Sequence, residues 1–281
     1  MKKANVVVSC PDKQGIVRAV TDFLYQNSGN ISLLEEHTED NFFFMRVEWE
    51  LESFKLGSRE EFKTAFRQIV EEFKMEVKVD FNEKKKRVGL FCSKELHCLV
   101  DLLGRQAIGE MDIEIPYLIS NFEDAQEIAK KFDIPFYCVP AKKGSFEHET
   151  ECLKIVRENQ TDVIGLARYM KVLSAGFIED VGQKIINVHH SFLPSFIGAN
   201  PYFEAYERGV KLIGATSHYV IPDLDQGPIV EQEVRRVKHS HEIENLKLIG
   251  RECEKQVFSF AIKKHIENKI AVFKNRTIVF E

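Results

Sequence analysis

The densest cluster of chemistry-bearing side chains follows an apolar Ile185-Ile186 pair and reads Asn187-Val188-His189-His190-Ser191-Phe192-Leu193-Pro194. In a strand, side chains alternate with a period of two, so Asn187 and His189 share one face and His190 points to the other. An amide donor and a titratable imidazole can then converge on one ligand, a pairing suited to proton transfer at a polarised centre. A second polar turn, Asp223-Leu224-Asp225-Gln226-Gly227-Pro228, separates the apolar runs Ile213–Val220 and Ile229–Val234. A carboxylate from that turn can orient His189 and stabilise its protonated form. Each piece also has a plain structural reading: histidine pairs serve as hydrogen-bonded core groups, and aspartates are common in turns. Spacing alone leaves both readings open.

The elements that must position these groups are legible in the apolar pattern. From Val88 onward, apolar runs of strand length alternate with helical stretches: Val88–Cys92, then 96–103; Tyr117–Ser120, then 124–131; 135–139, then 147–158; and the strands 163–166 and 184–188. Such alternation predicts an α/β unit with a mainly parallel sheet, because parallel neighbours need long crossovers. Ligands of such sheets gather at the carboxyl ends of the strands, where strand order reverses. The first of these ends, Cys92-Ser93-Lys94-Glu95-Leu96-His97, contains no glycine. It offers neither a dinucleotide fingerprint nor a phosphate-cradling loop, so a nicotinamide cofactor is not expected.

Upstream, strand 6–10, a helix from Ile16, strands 31–36 and 42–51, a helix opened by Ser58-Arg59-Glu60-Glu61, and strand 75–81 follow in the order βαββαβ. The serine and Glu61 have capping-box spacing, and the order predicts a ferredoxin-like sandwich of helices on an antiparallel sheet. The charged stretch 83–87 reads as a linker. The predicted organisation is an amino-terminal unit over 1–82 and a second over 88–281.

Composition sets the outer bounds. The 281 residues divide into about two domains, and 39 basic against 44 acidic residues leave a formal charge of −5. That balance lacks the basic footprint of a nucleic-acid or anionic-membrane binder. No apolar run approaches the ~20 residues of a membrane span, and the basic Met1-Lys2-Lys3 start is followed by too short an apolar stretch for a signal peptide. The expectation is a cytoplasmic protein acting on a small molecule. Cys10, Cys92, Cys98, Cys138, Cys152 and Cys253 contain no Cys-x-x-Cys pair, so neither disulfide nor metal is expected.

Two resemblances sharpen this reading. Pro11-Asp12-Lys13-Gln14-Gly15-Ile16-Val17, followed by Gly29-Asn30-Ile31, resembles the ACT domain family. Its members bind amino acids where two copies meet, which implies an amino-acid effector and a homo-oligomer; a purely structural dimerisation module is the alternative. Asn187-x-His189-x-Ser191-x-Leu193-Pro194, then Gly198, Pro201 and Gly209, then Gly214-x-Thr216-x-His218-x-Val220 and Leu224-Asp225-x-Gly227-Pro228, resemble the formyltransferase-fold family that handles 10-formyltetrahydrofolate.

The second resemblance implies that Asn187 donates to the formyl oxygen, that His189 is the acid/base, and that Asp225 holds the imidazole and a reacting water. It implies that Met170, Lys171, Val172 and Leu173 hold the pterin ring and that the loop from Val220 through Ile221 and Pro222 to Asp225 closes over it. His218, on a neighbouring strand, can support Asp225, although a strand histidine is as often structural. The sequence departs at Ile221-Pro222, where relatives carry a polar pair; Pro222 has no backbone N–H to donate.

Over the whole chain, Lys94-Glu95-Leu96-His97-Cys98-Leu99, His189-His190-Ser191-Phe192-Leu193-Pro194 and the pairing of the two units resemble the deformylase branch of that family. Ser93-Lys94-Glu95 stands where a phosphorylated amine acceptor needs a glycine-rich cradle. The implied reaction is hydrolysis of 10-formyltetrahydrofolate to formate and tetrahydrofolate, without metal or other cofactor, feeding purine synthesis and balancing one-carbon pools. Transfer of the formyl group to an amine, and folate binding without turnover, are the two alternatives.

Overall fold

The computed structural model describes residues 2–281 except 143, 183 and 195–200; Gly198 lies outside the described residues, and of Pro201 only the backbone is described. The chain forms two units, one made of residues up to Lys84 together with Glu267–Glu281, the other of Lys85–Ile266.

In the first unit the elements are β1 (Lys3–Pro11), α1 (Ile16–Gln26), β2 (Asn30–Glu39), β3 (Phe42–Glu50), α2 (Arg59–Phe73) and β4 (Glu76–Asp80). The strands form an antiparallel sheet in the order β2-β3-β1-β4. Alternation along β1 and β3 turns Val6, Val8, Met45, Val47 and Trp49 to a core shared with Phe23, Phe62 and Phe66 of the helices. Trp49 stacks on Phe62 with centroids 5.4 Å apart. Ser58 caps α2 by accepting from the Glu61 backbone N–H at 3.3 Å, while the Glu61 carboxylate accepts from Gly57 N at 2.9 Å, one residue earlier than in a capping box.

The second unit contains β5 (Lys86–Cys92), α3 (His97–Ala107), β6 (Ile113–Glu114), β7 (Leu118–Ser120), α4 (Gln126–Lys131), β8 (Phe136–Cys138), α5 (His148–Asn159) and β9 (Val163–Ala167). It continues with α6 (Ala175–Val181), β10 (Lys184–His189), α7 (Pro201–Glu207), β11 (Leu212–Tyr219), β12 (Ile229–Arg236) and α8 (Ile243–Ile266). The sheet order is β12-β11-β10-β9-β5-β7-β8, with β6 pairing β5. Strands β8, β7, β5, β9 and β10 run parallel; β11 and β12 are antiparallel additions. All five residues of β9 are buried, as both faces of a parallel sheet are covered. The chain steps from β5 outward to β7 and β8, then returns to the other side of β5 as β9. Strand order therefore reverses between β5 and β9, and a ligand crevice belongs at their carboxyl ends. Among the described residues no helix is long and apolar enough to cross a membrane.

The last residues depart from the expected division. Strands β13 (Ile270–Phe273) and β14 (Arg276–Val279) form a hairpin. Its Ala271 and Ile278, with Phe280, pack against Val7 and Phe44. Those two alternate away from the helix-facing residues, so the hairpin covers the sheet's second face. Arg46, 2% exposed, donates to the carbonyls of Asn268 and Glu267 at 3.2 and 3.3 Å. The second unit thus ends at Ile266 rather than 281. The expected linker is shorter too: Lys86 and Arg87 already lie in β5, where Arg87 N donates to Asp162 Oδ2 at 2.7 Å.

Candidate active site

Asn187 and His189 occupy the carboxyl end of β10, and antiparallel pairing sets His218 opposite Asn187 and Thr216 opposite His189. Tyr219 N donates to Pro228 O at 2.9 Å, closing the turn from β11 to β12. Inside that turn Asp225 adopts φ of 55°, a left-handed conformation uncommon for a residue with a Cβ. Gly227 permits the fold-back: a Cβ there would lie 1.7 Å from the Tyr219 carbonyl oxygen. Asp225 is thereby carried to the two histidines.

The resulting contacts form one polar cluster. His189 Nδ1 lies 3.2 Å from Asp225 Oδ2, and His218 Nε2 lies 3.5 Å from Asp225 Oδ1. His218 donates Nδ1–H to the Tyr219 carbonyl at 2.9 Å, and its Nε2 faces the Asn187 amide nitrogen at 3.3 Å. Burial opposes ionisation of Asp225, yet its hydrogen bonds and charge interactions with His189 and His218 outweigh it and hold the carboxyl well below the usual carboxylate range. With Nδ1 directed to Asp225, His189 presents Nε2, a buried nitrogen without a hydrogen-bond partner among the described residues. Such an orphan is costly unless a ligand or water reaches it.

These groups line a cavity of about 370 Å³. The structure brings every residue of the expected site to its wall: Asn187, His189, His218 and Asp225 at the polar end, Met170, Lys171, Val172 and Leu173 along one side, and Val220, Ile221 and Pro222 along another. Met170, Val172 and Leu224 are 56%, 53% and 62% exposed, an apolar rim that a flat ring system can cover. Val220 N already donates to Ile185 O at 2.8 Å, and Pro222 has no N–H, so the 220–222 edge offers mainly apolar surface.

One expectation is corrected. His190 does not point away: it lines the same cavity, its ring edge-on to His189 with centroids 5.0 Å apart. Strand β10 ends at His189, and the period-two rule ends with it. Sequence reasoning also passed over Arg168, at the carboxyl end of β9, with φ of 61° and a side chain 3.2 Å from Glu254 Oε2. The signal available for it was a charged residue immediately after a buried strand, next to the Met170–Leu173 segment.

Supporting contacts fix the segments that carry the site. Ser93 Oγ donates to Asn121 Oδ1 at 2.7 Å and accepts from Met170 N at 2.9 Å, tying the end of β5 to the pocket wall. Thr216 Oγ1 accepts from Leu193 N and donates to Ser191 O, at 3.0 and 2.9 Å, and Gln232 Nε2 donates to Leu193 O at 3.0 Å, clamping the chain that follows His190. His97, Cys98 and Glu254 bring ligand atoms within 4.8 Å of one another. That cluster does not suit a metal: Glu254 already accepts from His97 Nε2 and Tyr202 OH at 2.9 and 2.6 Å, Arg168 adds a competing cation, and burial pushes the Cys98 thiol far up.

Comparison with known proteins agrees with this architecture. Residues 86–262 match the Formyl transferase family, a span that stops before the carboxy-terminal hairpin. The chain is 44% identical to the formyltetrahydrofolate deformylase of Synechocystis sp. over 280 residues, covering 99% of this chain and 98% of the relative. The chain belongs to the formyltetrahydrofolate deformylase family. A crystal structure of a member from Pseudomonas syringae pv. tomato superposes with a TM-score of 0.96 at 42% identity, covering 100% of this chain and 95% of that one. A phosphoribosylglycinamide formyltransferase from Anaplasma phagocytophilum superposes with a TM-score of 0.64 at 32% identity over 70% of this chain and 96% of its own. The deformylases thus share full length with this chain, whereas the transferase shares about the extent of one unit.

Proposed function

We propose that this protein hydrolyses 10-formyltetrahydrofolate to formate and tetrahydrofolate. The observation that carries the reading is the convergence of Asn187, His189 and Asp225 at the closed end of a cavity whose open side is apolar. Met170–Leu173 and the 220–222 edge receive the pterin, and the formyl group reaches the polar end.

Asp225 accepts from His189 Nδ1–H, which fixes the tautomer and leaves the Nε2 lone pair free. With its carboxyl held low and engaged by two histidines, Asp225 is a poor base, and His189, whose Nε2 is unpaired among the described residues, takes that role. A water oxygen forms a bond to the formyl carbon as His189 Nε2 takes its proton, and the carbonyl electron pair moves onto oxygen. Asn187 donates to that developing oxyanion. As the intermediate collapses, the C–N bond breaks, its electrons go to the folate nitrogen, and His189 returns the proton there. The Asp225 carboxylate stabilises the imidazolium in between. Donor, imidazole and carboxylate supply each requirement, so we assign no separate cofactor.

For the first unit we propose a ferredoxin-like ACT role: amino-acid sensing and self-association, through edge strands β2 and β4, which the sheet order leaves open. A cytoplasmic location, and a supply of formate for purine synthesis, complete the reading.

The deciding assay incubates the purified chain with 10-formyltetrahydrofolate and no amine, and follows formate. Stoichiometric formate and tetrahydrofolate are expected. Product only after an amine is added means a transferase; binding without product means a regulator.

A further inference from the structure

Beside the folate cavity lies a second cavity of about 530 Å³, and the two share Arg168, Met170 and His190 as wall. His190 is 7% exposed, and its Nδ1 is buried with no hydrogen-bond partner among the described residues. The ring is held from two sides, edge-on to His189 at 5.0 Å and to Tyr202 at 6.2 Å between centroids. Tyr202 is itself fixed by donating to the buried Glu254. A ring nitrogen unpaired among the described residues, between two cavities and next to His189, can take a hydrogen bond from a donor molecule.

We propose that His190 is a catalytic residue that holds the attacking water, and that this water arrives from the second cavity. The proposal rests on the hydrolytic reading above and deepens it. The water gives one hydrogen bond to His190 Nδ1 and its other proton to His189 Nε2 as its oxygen attacks the formyl carbon; His190 keeps no proton at any step. Burial first, then the charges of Arg168 and His189, push the His190 pKa down to about 4 against the opposing pull of Glu254 and Asp225, so the ring is an uncharged acceptor near neutrality. That matches holding a water rather than deprotonating it.

The test compares His190→Asn, His190→Gln and His190→Leu in the full chain. The Asn amide falls where Nδ1 stood, whereas the Gln amide falls farther out, where Nε2 stood. Formate release without amine is expected to fall roughly 10- to 100-fold in the Leu and Gln variants, with tetrahydrofolate affinity unchanged, and to stay within a few-fold of wild type in Asn. Hydroxylamine, a stronger nucleophile, should then lose less, so the ratio of formyl hydroxamate to formate rises in Leu and Gln and not in Asn. Equal rates and ratios in Asn and Gln would overturn the proposal, even should the Leu variant not fold. A wild-type protein that releases no formate defeats the hydrolytic reading instead, which is a separate result.

Discussion

At the residue scale, Asp225 organises the site more than any other group. Its two oxygens face His189 and His218 at 3.2 and 3.5 Å, so one carboxylate sets the tautomer of His189, the proposed base, and anchors the imidazole beside Asn187. Asp225→Asn keeps the shape and removes the charge. The maximum rate is expected to fall roughly 100- to 10,000-fold, while affinity for tetrahydrofolate changes by less than about tenfold, because the walls proposed to hold the pterin are elsewhere; single-turnover rates and titration calorimetry measure the two. The same carboxyl links activity to acid stability. Its folded-state pKa lies below its unfolded value of about 3.9, so it contributes stability that is fully present above that value and is lost as pH falls toward the lowered one. Urea unfolding of wild type and variant should therefore differ near pH 6 and converge on acidification below about pH 4. A constant difference across that range would show that the histidines do not lower the Asp225 pKa.

At the element scale, the site is a property of the β10–β11–β12 end of the sheet. Register sets Asn187 opposite His218, and the tight turn after β11 returns Asp225 to both. Gly227 is the position where the turn has no slack, because an added Cβ would meet backbone oxygen rather than a movable side chain. Gly227→Ala is expected to destabilise by about 1–3 kcal/mol and to lower activity at least as much as Asp225→Asn, since both Asp225 and His218 shift. Thermal melting and formate release check this; an alanine variant with normal activity would place the turn outside the machinery. Much of this was legible beforehand. The period of two in β10, the turn chemistry at 223–228 and the alternation after Val88 are local signals, and they set strands, helices and the Asn187–His189 face. What was not legible depends on the ends of elements or on burial from several sides. His190 could not be oriented without knowing that β10 stops at His189. Helix α8 buries Leu246, Gly250, Cys253, Val257, Phe258 and Ala261 on one face, but a glycine, a cysteine and the charged Glu254 share that stripe, so its apolar signal is weak in the sequence and Glu254 reads as a solvated residue.

At the scale of the whole molecule, the chain begins and ends in the same unit. No local signal announces this, because Ile270–Val279 is an ordinary hairpin pattern whose partner lies more than 200 residues away. Its packing decides the matter. Val7 and Phe44 would be an exposed apolar face without Ala271, Ile278 and Phe280, and the Arg46 guanidinium would lose the carbonyls of Glu267 and Asn268. Each large apolar side chain returned to water costs about 1.5–3 kcal/mol, whereas the uncovered Arg46 guanidinium regains water and keeps Glu48 at 3.4 Å, so it adds little. A chain ending at Ile266 is therefore expected to unfold its first unit at a lower temperature than the full chain and to expose a dye-binding apolar surface. Arg46→Leu in the full chain separates the two contributions: it keeps the apolar cover and removes the buried charge, so it should be less damaging than the truncation. Calorimetry of the three proteins decides it. Truncation that leaves every transition where it was would mean that the hairpin merely rests on the sheet, and that the first unit is complete at Lys84.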